Sequence, residues 1–176
     1  MANDVLPVLF FGIDDAWDRL RARLEGLSDH EYLWEPVAHG WTVRPDGDRW
    51  LADDSDDDPQ PAPVTTIAWR MWHIASFCLS SYVSPTLGEW PLAVTDREWF
   101  GEAQPALEAL DVAMTTFRDR VMALGEDGIW QPLGPRWGPY ADESWAKLVI
   151  HALDELAHHG AEVALLRDLY ASRATP

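Results

Sequence analysis

Apolar residues recur at helical spacing in four long stretches of the chain. In the first, from about Val5 to Gly26, Leu9, Ile13, Ala16, Trp17, Leu20 and Leu24 share one side, and Asp18, Arg19, Arg21 and Arg23 fall largely between them. The second runs from about Thr66 to Ser84, with Thr65-Thr66 as its cap and Pro85 as its stop. It is apolar on most sides (Ile67, Trp69, Met71, Trp72, Ile74, Phe77, Leu79), which predicts a helix packed by neighbours all round. The third runs from Pro105, a favoured residue at a first helical position, to Leu124, with Gly125 as its stop. Leu107, Leu110, Met114, Phe117 and Val121 line its face. The fourth is capped by Asp142 and reaches about Tyr170.

Between these stretches the pattern lapses. Ser28-Asp29-His30-Glu31 has the spacing of a capping box and predicts one short turn. Residues 34–63, 85–103 and 125–141 are rich in Pro, Gly or Asp and predict long irregular connections. No alternating run predicts a strand, and no segment repeats. The expectation is an all-α four-helix bundle with long irregular connections, in which not every neighbour need be antiparallel. Its 176 residues fall below the roughly 250 at which single cores split, so residues 1–176 read as one domain.

Composition narrows the function. Thirteen Lys and Arg against 30 Asp and Glu give a net charge of −17, which disfavours nucleic acid and anionic membranes as partners. Seven Asp lie between Asp46 and Asp58 with one Arg, a run expected to be a solvated loop. The single Cys78 excludes an intramolecular disulfide and multi-cysteine metal sites, and is expected to be a small buried hydrophobe. Without a signal sequence or membrane span, a cytoplasmic setting is the default. Eleven Trp mark an unusually aromatic core or pocket.

The fourth helix carries the chemistry. Leu148, Ala152, Val163, Leu166 and Tyr170 share a side, and Glu155 and His159 fall in its middle. Burying an ionised carboxylate without a partner costs several kcal/mol. A Glu and a His four residues apart are spaced to offer two ligands to one metal. His73 on the second helix is placed to add a third, with Ser76 and Ser80 leaving space beside it and Trp69 and Trp72 flanking it. Three ligands leave a further position for water or substrate. Two other readings stand beside this one. Glu155 and His159 can form a metal-free hydrogen-bonded pair, and His151, Glu155 and His158 form a rival ligand set. His30 and His39 are expected at the surface.

TTIAWRMWHIASF, HALDELAHHGAEVALLRDLY, GLSDHEYLWEP and GWTVRP together resemble the DinB/YfiT-like superfamily of metal-binding four-helix bundles. Many members bind metal through three histidines. The resemblance places two of them at His73 and His159, with Glu155 at the third position. That His/Glu/His pattern is similar to the metal-binding domain of mycothiol-dependent maleylpyruvate isomerase. The resemblance implies a divalent metal, foremost Zn and otherwise Ni, Fe or Mn. It also implies a low-molecular-weight thiol such as mycothiol as co-substrate, used for S-transfer-type chemistry on a small molecule. Trp41, Trp90, Trp99, Trp130 and Trp137 are expected to wall a pocket. The alternatives are a non-catalytic metal-binding bundle and a metal-free interaction module. A homodimer is compatible with each, because the second helix is apolar all round.

Overall fold

A computed structural model describes residues 4–55, 57, 59–87 and 97–173. Helix α1 (Leu6–Leu24) buries Leu6, Phe10, Ile13, Ala16, Leu20 and Leu24, one residue per turn on one stripe. The expected turn is α2 (Asp29–Tyr32), capped by Ser28, whose Oγ accepts the Glu31 N–H. Glu31 does not close the capping box; its carboxylate instead accepts from Arg167 Nε at 2.8 Å. The second predicted helix is built of α3 (Ile67–Trp72), a π-helical stretch (His73–Ser80) and α4 (Ser81–Leu87). The third is α5 (Ala103–Met122), followed by the short α6 (Gly125–Gly128). A 3-10 segment (Pro135–Tyr140) precedes α7 (Trp145–Ser172).

Side-chain pairs fix the helix directions. Leu153 packs at Gly12 and Leu20 at Gly160, and Arg23 reaches the Ala164 carbonyl and Asp168, so α1 and α7 are parallel. A Cβ at Gly12 would lie 2.8 Å from Leu153 Cδ2, so its lack of a side chain permits this approach. Arg21 with Asp111 and Arg118 with Asp14 set α5 antiparallel to α1. Arg70 with Glu162 and Tyr82 with His151 set the second helix antiparallel to α7. The order is up, down, down, up, and the bundle with its long connections is the predicted one. The apolar girth of α3 is absorbed inside it: Ile67, Ala68, Met71 and Trp72 are all buried. No helix among the described residues is long and apolar enough to cross a membrane.

Four expectations need correction. The 34–63 connection is not free of strands: β1 (Val43–Asp46) and β2 (Arg49–Ala52) form a hairpin, and β3 (Glu98–Trp99) pairs with β2. The hairpin turns at Gly47, whose φ of +65° suits glycine. Each strand has at most four residues and β1 carries Pro45 and two charges, so no alternating run exists to be read. The Asp-rich run is therefore not all loop. Its first part is the hairpin, and Asp53 accepts from the Thr42 N–H at 2.9 Å and Arg44 Nε at 3.0 Å. The second helix passes Pro85, which forgoes one N–H of the ladder, and ends two residues later at Leu87. Finally, Ser144 rather than Asp142 caps α7, accepting the Lys147 N–H.

Candidate metal centre

Thr66 starts α3, accepting the Trp69 N–H, and seven residues on the helix delivers His73. The imidazole is clamped between two rings, each one turn away. Trp69 stacks on one face at 5.0 Å and Phe77 on the other at 5.5 Å, with interplanar angles of 13° and 7°. Burial lowers the His73 pKa to about 4, and His159 and Arg70 add to this while Glu155 opposes it. His73 is thus neutral at pH 7 and keeps a lone pair.

From α7, one turn apart, come Glu155 and the buried His159. Glu155 Oε2 lies 2.9 Å from His159 Nε2 and 3.5 Å from His73 Nε2. One ligand atom from each of the three residues lies within 4.8 Å of the others. Donor atoms around one tetrahedral zinc stand about 3.3 Å apart, given bond lengths near 2 Å. The two measured spacings straddle that value.

The tautomer agrees with the distances. His159 Nδ1 is 2.7 Å from Glu162 Oε2, and Glu162 pairs with Arg70 at 2.8 Å. A carboxylate can only accept, so Nδ1 carries the hydrogen and Nε2 turns its lone pair towards Glu155. Two lone pairs facing each other at 2.9 Å repel, and a positive charge between them relieves this, either a proton that makes His159 an imidazolium or a metal ion. A carboxylate behind a ligating histidine is also the usual outer support of a metal site. The residues therefore fit a divalent metal. Burial acts to raise the pKa of Glu155, but the Cys78 hydrogen bond and the nearby histidines outweigh it, and the net shift is downwards. Glu162 is likewise shifted down against its burial, by His159 and Arg70.

Cys78 differs from expectation. It is buried, but its Sγ lies 3.3 Å from Glu155 Oε2, against the metal cluster. On an α-helix, five residues would carry it well away from His73. The π stretch spans His73–Ser80, and i to i+5 bonding stacks Cys78 nearly over His73. Burial and Glu155 push the thiol pKa up, so it is a neutral donor to the carboxylate.

A cleft of about 320 Å³ reaches His73, lined by Trp41, Trp69, Trp72 and Phe77, with Asp54 and Asp57 among its other walls. The acidic run thus contributes to the site's approach. Ser76 and Ser80 do not line this cleft. Ser76 Oγ is buried without a partner, and its carbonyl accepts the Ser81 N–H in the π pattern. Trp99 is buried in β3, Trp130 is exposed, Trp137 lines a different cleft, and Trp90 lies outside the described residues. His158 is exposed and reaches Glu162 at 3.4 Å, and His151 reaches Glu155 Oε1 at 3.7 Å. These histidines belong to two further clusters, His158/His159/Glu162 and His151/Asp154/Glu155, each built on α7 alone. His30 is exposed and bonds Tyr170, and His39 is exposed.

A family model described as the DinB superfamily matches residues 13–163, a span that includes His73, Glu155 and His159. The chain belongs to the DinB superfamily. Proteins of this superfamily often bind a divalent metal. The match is to the superfamily as a whole and does not single out the mycothiol-dependent isomerase. No curated protein and no solved structure matches the chain significantly. Glu162 and Cys78 stand beside the candidate ligands although the sequence did not assign them to the site. Only Glu162 carried a readable signal, three residues beyond His159 at the edge of the same stripe.

Proposed function

We propose that this DinB-superfamily protein binds one divalent cation through His73, Glu155 and His159 and uses it in thiol-dependent chemistry on a small molecule. The observation that carries the reading is the convergence of two imidazole nitrogens on one carboxylate oxygen, at 2.9 and 3.5 Å. Two imidazoles and a carboxylate suit zinc best, and nickel, iron and manganese are compatible. A bound dication lowers the pKa of a thiol or water beside it. The chain's own residues do the rest. Trp69 and Phe77 hold the His73 ring, Glu162 fixes the His159 tautomer, and Cys78 orients Glu155. The formal charge of the loaded set, +2 from the ion and −1 from Glu155, suits an anionic nucleophile such as the thiolate of mycothiol. The cleft at His73 favours a site open to substrate over a closed structural one.

The test is Glu155→Gln. The reading expects metal content to fall with helicity retained; normal helicity with unchanged metal sinks the ligand assignment. The thiol part is read separately on cobalt-substituted Cys78→Ser protein. Adding mycothiol should produce sulfur-to-cobalt charge-transfer absorption, and a flat spectrum removes the thiol from the account.

A further inference from the structure

A second cleft, of about 440 Å³, lies against the first two turns of α7, ahead of Glu155 in the chain, and plays no part in the metal reading. Tyr82, Trp137 and Tyr140 give it aromatic walls, with Leu148, Lys147 and His151 on α7. Trp137 and Tyr140 come from one 3-10 segment, turned at Gly138 with φ of +54°. That segment is pinned at both ends, Leu133 N–H to the Glu143 carbonyl at 2.8 Å and Gly134 N–H to the Ala141 carbonyl at 2.9 Å. The indole N–H of Trp137 meets no acceptor among the described residues, and the ring contacts Tyr82 and Trp145, each at 6.3 Å. Tyr82 also stacks on His151 at 5.6 Å. Both the size and the mostly apolar walls are those of a small-molecule site.

Position ties this cleft to the cluster. Lys147, His151, Glu155 and His159 are spaced four apart along α7, with Glu143 just ahead of its cap, and lead one turn at a time from the cleft to the candidate ligands. His151 is the shared member: it lines the cleft and reaches Glu155 Oε1 at 3.7 Å. Charge narrows the ligand. Lys147 is paired with Glu143, so the described residues that line the cleft offer no spare cation, and the chain carries −17 overall. An anion gains nothing there.

We infer that this cleft binds a flat, uncharged aromatic or conjugated molecule between Tyr82, Trp137 and Tyr140, with a polar atom of that molecule hydrogen-bonded to His151. Rigid aromatic walls favour planar ligands by stacking, and the pinned segment keeps the ordering cost of binding low. That this molecule is the electrophilic substrate of the proposed reaction rests on the metal reading above; that it binds does not.

The test titrates 1-naphthol, a flat neutral probe, into the full-length protein as purified and after chelator treatment. Binding is followed through the indole N–H resonances. The expected result is saturable one-to-one binding in both preparations, with the Trp137 resonance shifted. Trp137→Leu should raise Kd at least tenfold, Trp130→Leu at an exposed site off the cleft should leave it within twofold, and naphthalene-1-sulfonate should bind at least tenfold more weakly. Tyr140→Ala, at an exposed position, gives a second reading should Trp137→Leu not fold. An unchanged Kd in the cleft variants, or no saturation, overturns the site. Tighter binding of the sulfonate overturns the ligand class, and loss of binding on chelation overturns its independence from the metal. A protein without metal that still binds 1-naphthol keeps this inference and loses the metal reading; one with metal and no 1-naphthol binding does the reverse.

Discussion

Glu162→Gln tests the support of the metal set without touching a ligand. Glu162 serves two donors at once, His159 Nδ1 on Oε2 at 2.7 Å and Arg70 Nη2 on Oε1 at 3.1 Å. An amide has one acceptor oxygen, so Gln can satisfy only one of them. With the oxygen on Arg70, the amide NH2 faces Nδ1, which must then accept. The His159 hydrogen moves to Nε2, the atom the metal needs. With the oxygen on His159, a largely buried Arg70 loses its carboxylate. Removing such outer partners typically weakens metal binding about 10- to 100-fold, roughly 1.4–2.7 kcal/mol. The assay is zinc competition against a chromophoric chelator at pH 7, with Glu143→Gln as a surface control of equal charge change. Glu162→Gln should lose at least tenfold and the control should lose nothing. A Kd for Glu162→Gln within twofold of wild type refutes the tautomer argument.

Three further outcomes are expected. First, His73 has a pKa of about 4 when folded against 6.5 as its ordinary value. The unfolded chain therefore binds more protons in that window, and metal-free protein should lose about 3 kcal/mol of stability as pH falls from 6.5 to 4. His73→Phe, which can keep the ring sandwich, should remove that component in urea unfolding at several pH values; an equal pH slope would show that His73 is not the group responsible. Second, Cys78 is buried with a raised pKa, so a chromogenic disulfide reagent should react with it only after denaturation, and fast native labelling contradicts its placement. Third, a Cβ at Gly101 would lie 2.2 Å from Trp50 Cε2, so Gly101→Ala should destabilise by about 1–3 kcal/mol in chemical unfolding. An unchanged midpoint would mean that Trp50 does not pack there.

The long helices were legible because α1, α5 and α7 each bury one stripe with a helical period, as Phe10, Ile13, Leu20 and Leu24 do in α1, and the second helix is apolar on most sides. The hairpin was not, since strands this short with Pro45 on one of them carry no period. The π stretch was the larger loss. It is a shift in backbone bonding with no residue signature, and it decides where Phe77 and Cys78 stand around His73. His73, Glu155 and His159 were readable from helix faces because each sits among apolar neighbours. The partnership of Glu162 was not readable, because it depends on Arg70 from another helix. Asp54 and Asp57 reach the His73 cleft only through the path of a loop that composition describes as solvated.

Elemental analysis decides whether His73, Glu155 and His159 hold a metal together. Protein purified without chelator should carry close to one divalent metal ion per chain. His73→Ala and His159→Ala, each with wild-type helicity, should carry well under half of that. Wild-type protein with less than about 0.1 ion per chain after incubation with zinc, or full metal content in both variants, contradicts the account.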